Sequence, residues 1–227
     1  MKRTRRTRSQ ARFADRADAG RLLAHELRHL AGREDVVVLA LPRGGVPVAF
    51  EVARELEAPL DVFVVRKLGL PEQPELAMGA LASGGLRVLN DDVVQAATVS
   101  RETIERVAGQ EQQELERRER LYRDDRLPLE VAGKAVILVD DGLATGATML
   151  AAVRALRTRD PSEIVVAVPI APPETCEGLR GEADDVVCAR TPEPFVAIGV
   201  WYEQFRQVSD EEIRDLLNRA NGAGGSS

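Results

Sequence analysis

Residues 136–148 read VILVDDGLATGAT, and their types and spacing could do chemistry. Apolar residues lead to a pair of acids, Asp140 and Asp141, at the predicted carboxyl end of a buried strand. Open parallel sheets bind ligands at that edge. Gly142 and Gly146 let the backbone turn its N–H groups inward, and Thr145 and Thr148 add hydroxyl donors. Leu143, Ala144 and Ala147 complete the loop, and the helix predicted from about Ala147 presents an N-terminus that favours an anion. Carboxylates accept hydrogen bonds from sugar hydroxyls and can hold Mg²⁺ directly or through water. A phosphate cradle one step from a diol acceptor describes a site for ribose 5-phosphate. The loop lacks the lysine of GxxxxGK[ST] and is not GxGxxG.

Leu41-Pro42-Arg43-Gly44-Gly45 follows another predicted strand. Its glycines permit close approach to an anion, and Arg43 offers a bidentate fork for phosphate. Arg66 and Lys67 end a further predicted strand at the same edge, where adjacent cations suit an anionic ligand. A competing pattern is His25-Glu26-Leu27-Arg28-His29, HExxH on a predicted helix, continuing to Gly32 and Asp35. Zinc peptidases use two such histidines and a later ligand, with the glutamate as base. Here Asp35 opens a predicted strand, and no segment supplies a peptide-binding strand. The histidines suit the polar face of a helix whose Leu22, Leu23, Leu27 and Leu30 face inward, so a metallopeptidase is the lesser alternative.

The elements that must position these groups alternate strand, loop and helix from residue 35 to 189. DVVVLAL, LDVFVVRK, KAVILVD, EIVVAVPIA and ADDVVCA are short continuous apolar runs, as expected of strands buried on both faces. Helices are predicted over residues 15–31, VPVAFEVARELEA and ATMLAAVRALRT. The expected fold is α/β, an open, mainly parallel five-stranded sheet flanked by helices. An insertion over about residues 69–127 breaks the rhythm after the second strand. It carries a predicted hairpin near Leu86–Leu89 and a charged helix with one thin apolar stripe, Ile104, Ala108, Leu115 and Tyr122. That stripe predicts packing on one side, as a lid or against a second subunit.

The 227 residues suit one domain, expected over 12–219, and the net charge of −6 argues against a generic nucleic-acid binder. Lys2, Arg3, Arg5, Arg6, Arg8 and Arg12 cluster in a basic segment expected, over 1–11, to be a solvated disordered tail, as is 220–227. No apolar run suits a membrane span, and no apolar core follows the N-terminal charges as in a secretory signal. Cys176 and Cys188 are expected to be reduced, as in a cytoplasmic protein.

Residues 136–148 resemble the PRPP-binding signature of type I phosphoribosyltransferases: apolar residues, two acids, then a small-residue loop ending T-G-x-T. RGG resembles that family's pyrophosphate loop. FADRADAGRLLA, VVRKLGLPEQPELAMGA and FVAIGVWYEQFRQVSDEEI extend the likeness to a bacterial branch of the family, over roughly residues 12–217. The resemblance implies a Rossmann-like fold and Mg²⁺-dependent transfer of phosphoribose from PRPP to a nitrogenous base, with release of pyrophosphate. By that resemblance Asp140 and Asp141 hold the ribose hydroxyls and the metal. Residues Gly142 to Thr148 take the 5-phosphate, and Arg43, Gly44, Gly45, Arg66 and Lys67 take the pyrophosphate. Asp140, Asp141, Arg43 and Lys67 are the candidate catalytic residues. Trp201 and Tyr202 are candidates to stack on the acceptor, while Phe195 is expected in the core. The insertion is expected to close over substrate, and a homodimer is expected. Ala144 stands where 6-oxopurine enzymes usually carry an acid, as in adenine- and uracil-type loops, which argues against hypoxanthine, guanine or xanthine. A non-catalytic sensor of PRPP or nucleotides is the other alternative.

Overall fold

A computed structural model describes residues 11–123 and 126–222. Most of the basic N-terminal run and residues 223–227 lie outside the described residues. In chain order the elements begin with helix α1 (Arg16–Glu26), strand β1 (Val36–Ala40), helix α2 (Gly45–Leu56) and strand β2 (Leu60–Val62). Strands β3 (Val65–Leu70), β4 (Gln73–Ala82) and β5 (Leu86–Leu89) and helices α3 (Asp91–Ala96) and α4 (Arg101–Arg123) follow. Strand β6 (Ala135–Val139), helix α5 (Ala147–Arg157), strand β7 (Glu163–Ile170), helix α6 (Pro173–Leu179), strand β8 (Asp185–Arg190) and helix α7 (Asp210–Gly222) complete the chain.

The main sheet has five parallel strands ordered β2-β1-β6-β7-β8. Alternate strand residues feed two cores. Val36, Val38 and Ala40 of β1 and Ala135, Ile137 and Val139 of β6 pack with residues of α1, α2, α4 and α7. Val37, Leu39, Val136 and Leu138 pack on the other face with Met149, Val153, Leu156 and Leu179. Burial on both faces is why these strands read as unbroken apolar runs. The chain leaves β1 towards β2 on one side and β6 towards β7 on the other. The sheet therefore has a topological switch point between β1 and β6, where the loops diverge and leave a crevice.

The stretch LDVFVVRK is two strands. Only Leu60–Val62 pairs with β1. Val65 onward pairs antiparallel with β4, which pairs with β5 in a separate three-stranded sheet. The expected hairpin is therefore two-thirds of a larger unit whose first strand contains Arg66 and Lys67. No glycine or proline marks the change of sheet, so the apolar run conceals it. The first helix is also shorter than expected, ending at Glu26 before one 3₁₀ turn, Arg28–Leu30.

The stripe on α4 is buried, with Val107 added to Ile104, Ala108, Leu115 and Tyr122. It packs within its own chain, on the three-stranded sheet and α7. Its end is anchored to β2 by the buried pair of Arg123 and Asp61, with Arg123 Nε 2.9 Å from Asp61 Oδ1. Among the described residues no helix is long and apolar enough to cross a membrane.

The expectation of reduced cysteines is corrected. Cys176 of α6 and Cys188 of β8 form a disulfide across 12 positions. Their separation in sequence gave no sign that α6 folds back onto β8. Reduction is expected to cost about 2–3 kcal/mol of stability, the range for a short closed loop. Urea unfolding with and without dithiothreitol measures this. A Cys188→Ser variant should be weakened by a similar amount and lose its sensitivity to reductant. Identical wild-type curves would contradict the assignment.

Candidate functional site

The β1–β6 register sets Ala40 opposite Val139, and the Leu41 N–H donates to the Val139 carbonyl at 2.8 Å. Residues 42–45 therefore run alongside Asp140 and Asp141 at the switch point. The approach is close enough to require glycine. A Cβ on Gly44 would lie 2.1 Å from Asp141 Oδ2, and one on Gly45 would lie 2.7 Å from the Val139 carbonyl oxygen. The Pro42–Arg43 peptide is cis. The structure thus joins the two glycine-containing segments into one site.

Asp141 is buried and Asp140 half-buried. Burial pushes the Asp140 carboxyl well above the usual carboxylate range, and the Asp141 charge adds to this. Burial also raises Asp141, opposed by the neighbouring Arg16 guanidinium. The Asp141 N–H donates to Asp140 Oδ1 at 2.8 Å.

Beyond the acids, Gly146 adopts a left-handed conformation at φ 72° and caps α5. The Ala144 carbonyl accepts from Thr175 Oγ1 of α6 at 2.7 Å, so α6 buttresses the loop. Among the described residues no protein acceptor takes the N–H groups of Ala144, Thr145 or Gly146. They are free for an anion, beside the helix N-terminus at Ala147 and Thr148. Leu143 differs: its side chain is buried, and its N–H donates to the Ile170 carbonyl at 2.9 Å. It anchors the loop and has no amide to offer a phosphate.

The candidate cations are placed unequally. Arg43 Nε lies 3.2 Å from Asp210 Oδ1, an oxygen that also accepts from the Tyr122 hydroxyl at 3.1 Å. Arg66 pairs with Glu111 of α4 at 2.6 Å. Arg43 follows β1 of the main sheet and Arg66 lies in the separate sheet, and each is paired with a carboxylate of its own chain. Lys67 is exposed and lines a cleft between the three-stranded sheet and α5, with Ala147 and Leu150. Among the described residues its side chain has no hydrogen-bond or ion-pair partner.

The aromatic candidates need revision. Tyr202 is 3% exposed, and its hydroxyl donates to the Asp141 carbonyl at 2.6 Å. It supports the acid pair from behind and presents no ring face for stacking. Trp201 and Phe195 are half-buried against the same small cluster as Phe13. Phe205, which the sequence reading missed, is 40% exposed, packs beside Tyr202 and carries the Arg16 guanidinium 4.0 Å over its ring. Arg16 was missed too: its Nε donates to Asp141 Oδ2 at 2.7 Å. The charged DR step of FADRADAG was its one visible trace.

The HExxH pattern does not assemble. The helix ends at Glu26, and His25, Glu26 and His29 are all exposed. Asp35 is bound to Arg33 at 2.8 Å. Among the described residues no three acidic, histidine or cysteine side chains converge as metal ligands.

Known proteins resemble this one across the segments that build the site. A family described as the phosphoribosyl transferase domain matches residues 10–200. Two strains of Mycobacterium tuberculosis, CDC 1551 and H37Rv, carry a relative provisionally named a phosphoribosyl transferase, 50% identical over 209 residues. The match covers 92% of this chain and 47% of the relative, so the chain spans about half the length of the curated relatives it matches. The crystal structure of TT1426 from Thermus thermophilus is 44% identical with a TM-score of 0.83, covering 92% of this chain and 98% of that one.

Proposed function

The chain belongs to the phosphoribosyl transferase family, and from that premise we propose that it transfers phosphoribose from PRPP to a nitrogen of a small acceptor, releasing pyrophosphate. One observation carries the reading. The acid pair, the loop with unbonded amides and the Arg43–Gly45 segment meet at the switch point of the sheet. Asp140 and Asp141 accept from the ribose hydroxyls. The amides of Ala144, Thr145 and Gly146 and the hydroxyls of Thr145 and Thr148 take the 5-phosphate. Lys67, Gly44 and Gly45 receive the pyrophosphate, joined by Arg43 and Arg66 when they exchange Asp210 and Glu111 for the ligand.

The acceptor nitrogen supplies the electron pair of the new bond to C1, and pyrophosphate leaves with the pair of the broken one. No side chain forms a covalent intermediate. The chain contributes position, charge stabilisation and exclusion of water. The acid pair fits magnesium: burial disfavours both charges, and Mg²⁺ is commonly held by one or two carboxylates, waters and substrate phosphates. Asp140 and Asp141 would hold it directly or through water, and it would supply neutralisation of the departing pyrophosphate. Ala144 goes with an acceptor other than a 6-oxopurine. A homodimer and a cytoplasmic location accompany this reading; the disulfide does not argue for the latter, since reducing compartments disfavour such bonds.

The internal pairing of Arg43 and Arg66 favours one second reading, a PRPP sensor without turnover. A panel of purines, pyrimidines and pyridines with PRPP and Mg²⁺, read as pyrophosphate release, separates the two. Release with one acceptor class above the hydrolytic background is expected. PRPP binding without release for any acceptor would favour the sensor.

A further inference from the structure

Arg16 reaches the acid pair from 125 positions away in sequence, and its placement is built rather than incidental. The segment before it is clamped to the chain near residue 202. The Phe13 N–H donates to the Trp201 carbonyl, and the Glu203 N–H to the Phe13 carbonyl, both at 2.8 Å. The Phe13 ring, 1% exposed, packs 5.3 Å from the Tyr202 ring. Asp15 then caps α1 by accepting from the Asp18 N–H at 2.8 Å. Arg16 follows with three tethers of its own. Nε donates to Asp141 Oδ2 at 2.7 Å, Nη1 donates to the Arg206 carbonyl at 2.7 Å, and the guanidinium lies over Phe205.

The same clamp holds Asp141 twice. Tyr202 fixes its backbone carbonyl, and Arg16 fixes its carboxylate. Both side chains of the ion pair are 11% exposed, so water competes little for the contact. An ionised carboxylate has about four acceptor positions, and Arg16 Nε takes only one. The carboxylate also lies against Gly44, where a Cβ would stand 2.1 Å from Oδ2, and interacts with the Asp140 carboxyl.

We infer that Arg16 is a positioning residue for the sugar: it orients the Asp141 carboxylate so that its remaining lone pairs accept from the ribose hydroxyls. The inference rests on the PRPP reading of the site. It assigns Arg16 to the ribose end and leaves the pyrophosphate end to Gly44, Gly45 and Lys67. A guanidinium suits this role because its fixed fork can bind the carboxylate and the Arg206 carbonyl together, which a lysine ammonium cannot reproduce.

The test is calorimetric titration of the full chain in Mg²⁺ with PRPP, ribose 5-phosphate and pyrophosphate as separate probes. Wild type is compared with Arg16→Gln and Arg16→Lys, and thermal melts accompany each variant. Arg16→Gln is expected to weaken PRPP and ribose 5-phosphate by about tenfold or more, the loss of one charge-assisted hydrogen bond. Pyrophosphate affinity should stay within about twofold, and Arg16→Lys should recover part of the loss for the ribose ligands alone. Equal weakening of all three probes without recovery by lysine would make Arg16 a purely structural residue and overturn the inference. Unchanged ribose 5-phosphate binding in Arg16→Gln would overturn it as well. If wild type binds none of the probes, the PRPP reading itself fails. If wild type binds them and the variants match it, only the role of Arg16 fails.

Discussion

Changing Asp140 and Asp141 together to Asn is expected to lower PRPP affinity by at least about a hundredfold with the fold intact. Asparagine keeps the shape of each side chain but removes the charge and replaces one acceptor oxygen with a donor. Each carboxylate that loses a charge-assisted hydrogen bond to a ribose hydroxyl forfeits about 1.5–3 kcal/mol, and two such losses give the expected factor. The fold should survive because Asp140 is unfavourable where it sits, and an asparagine at 141 keeps an oxygen that can accept from Arg16 Nε. Burial and the neighbouring charge raise Asp140. A carboxyl held above its unfolded value gives its full stabilising contribution only when protonated, and that contribution is lost as pH rises through the folded value. Asp140→Asn alone should therefore melt at or above the wild-type temperature at neutral pH. Calorimetry and thermal melts measure the two effects separately. Undiminished PRPP affinity in the double variant would remove the acids from the site.

Asp61→Ala is expected to lower stability by about 3–5 kcal/mol, the range for a buried ion pair stripped of one partner. Asp61 accepts from Arg123 Nε through both oxygens, at 2.9 and 3.0 Å, and from the Leu129 N–H at 3.2 Å. Arg123 also donates to the Val62 carbonyl and to Glu119. Removing the carboxylate leaves a buried guanidinium with reduced compensation at the point where α4 returns to β2. Pairing Asp61→Ala with Arg123→Met should recover much of the loss, because the double variant buries no charge. Urea unfolding of the single and double variants measures this. A single-variant loss below about 1 kcal/mol would show the pair to be no better than a surface contact.

The parts of the site that were legible in the sequence are those where chemistry and local pattern coincide. The acids, glycines and threonines of 136–148 share one loop, and the apolar runs before Leu41 and Asp140 placed both segments at strand ends. What stayed hidden depends on contacts between distant residues. Arg16 and Tyr202 meet at Asp141 only because the ends of the domain pair with each other, and no local periodicity encodes that pairing. Tyr202 carried a plausible aromatic signal whose ring is used as a buttress. Leu143 looked like one more loop residue, yet a leucine among small residues was a sign that it points into the core. The passage from β2 to β3 was hidden because one apolar run serves two sheets, and it moved Arg66 and Lys67 off the main sheet.

The central claim is that the loop and acids at the switch point bind PRPP. Titrating PRPP with Mg²⁺ into the full chain, monitored by calorimetry, tests it most directly. The expected result is one saturable site per chain that is lost in the Asp140→Asn, Asp141→Asn variant. Absence of binding by folded wild-type protein, or equal binding by the variant, would contradict it.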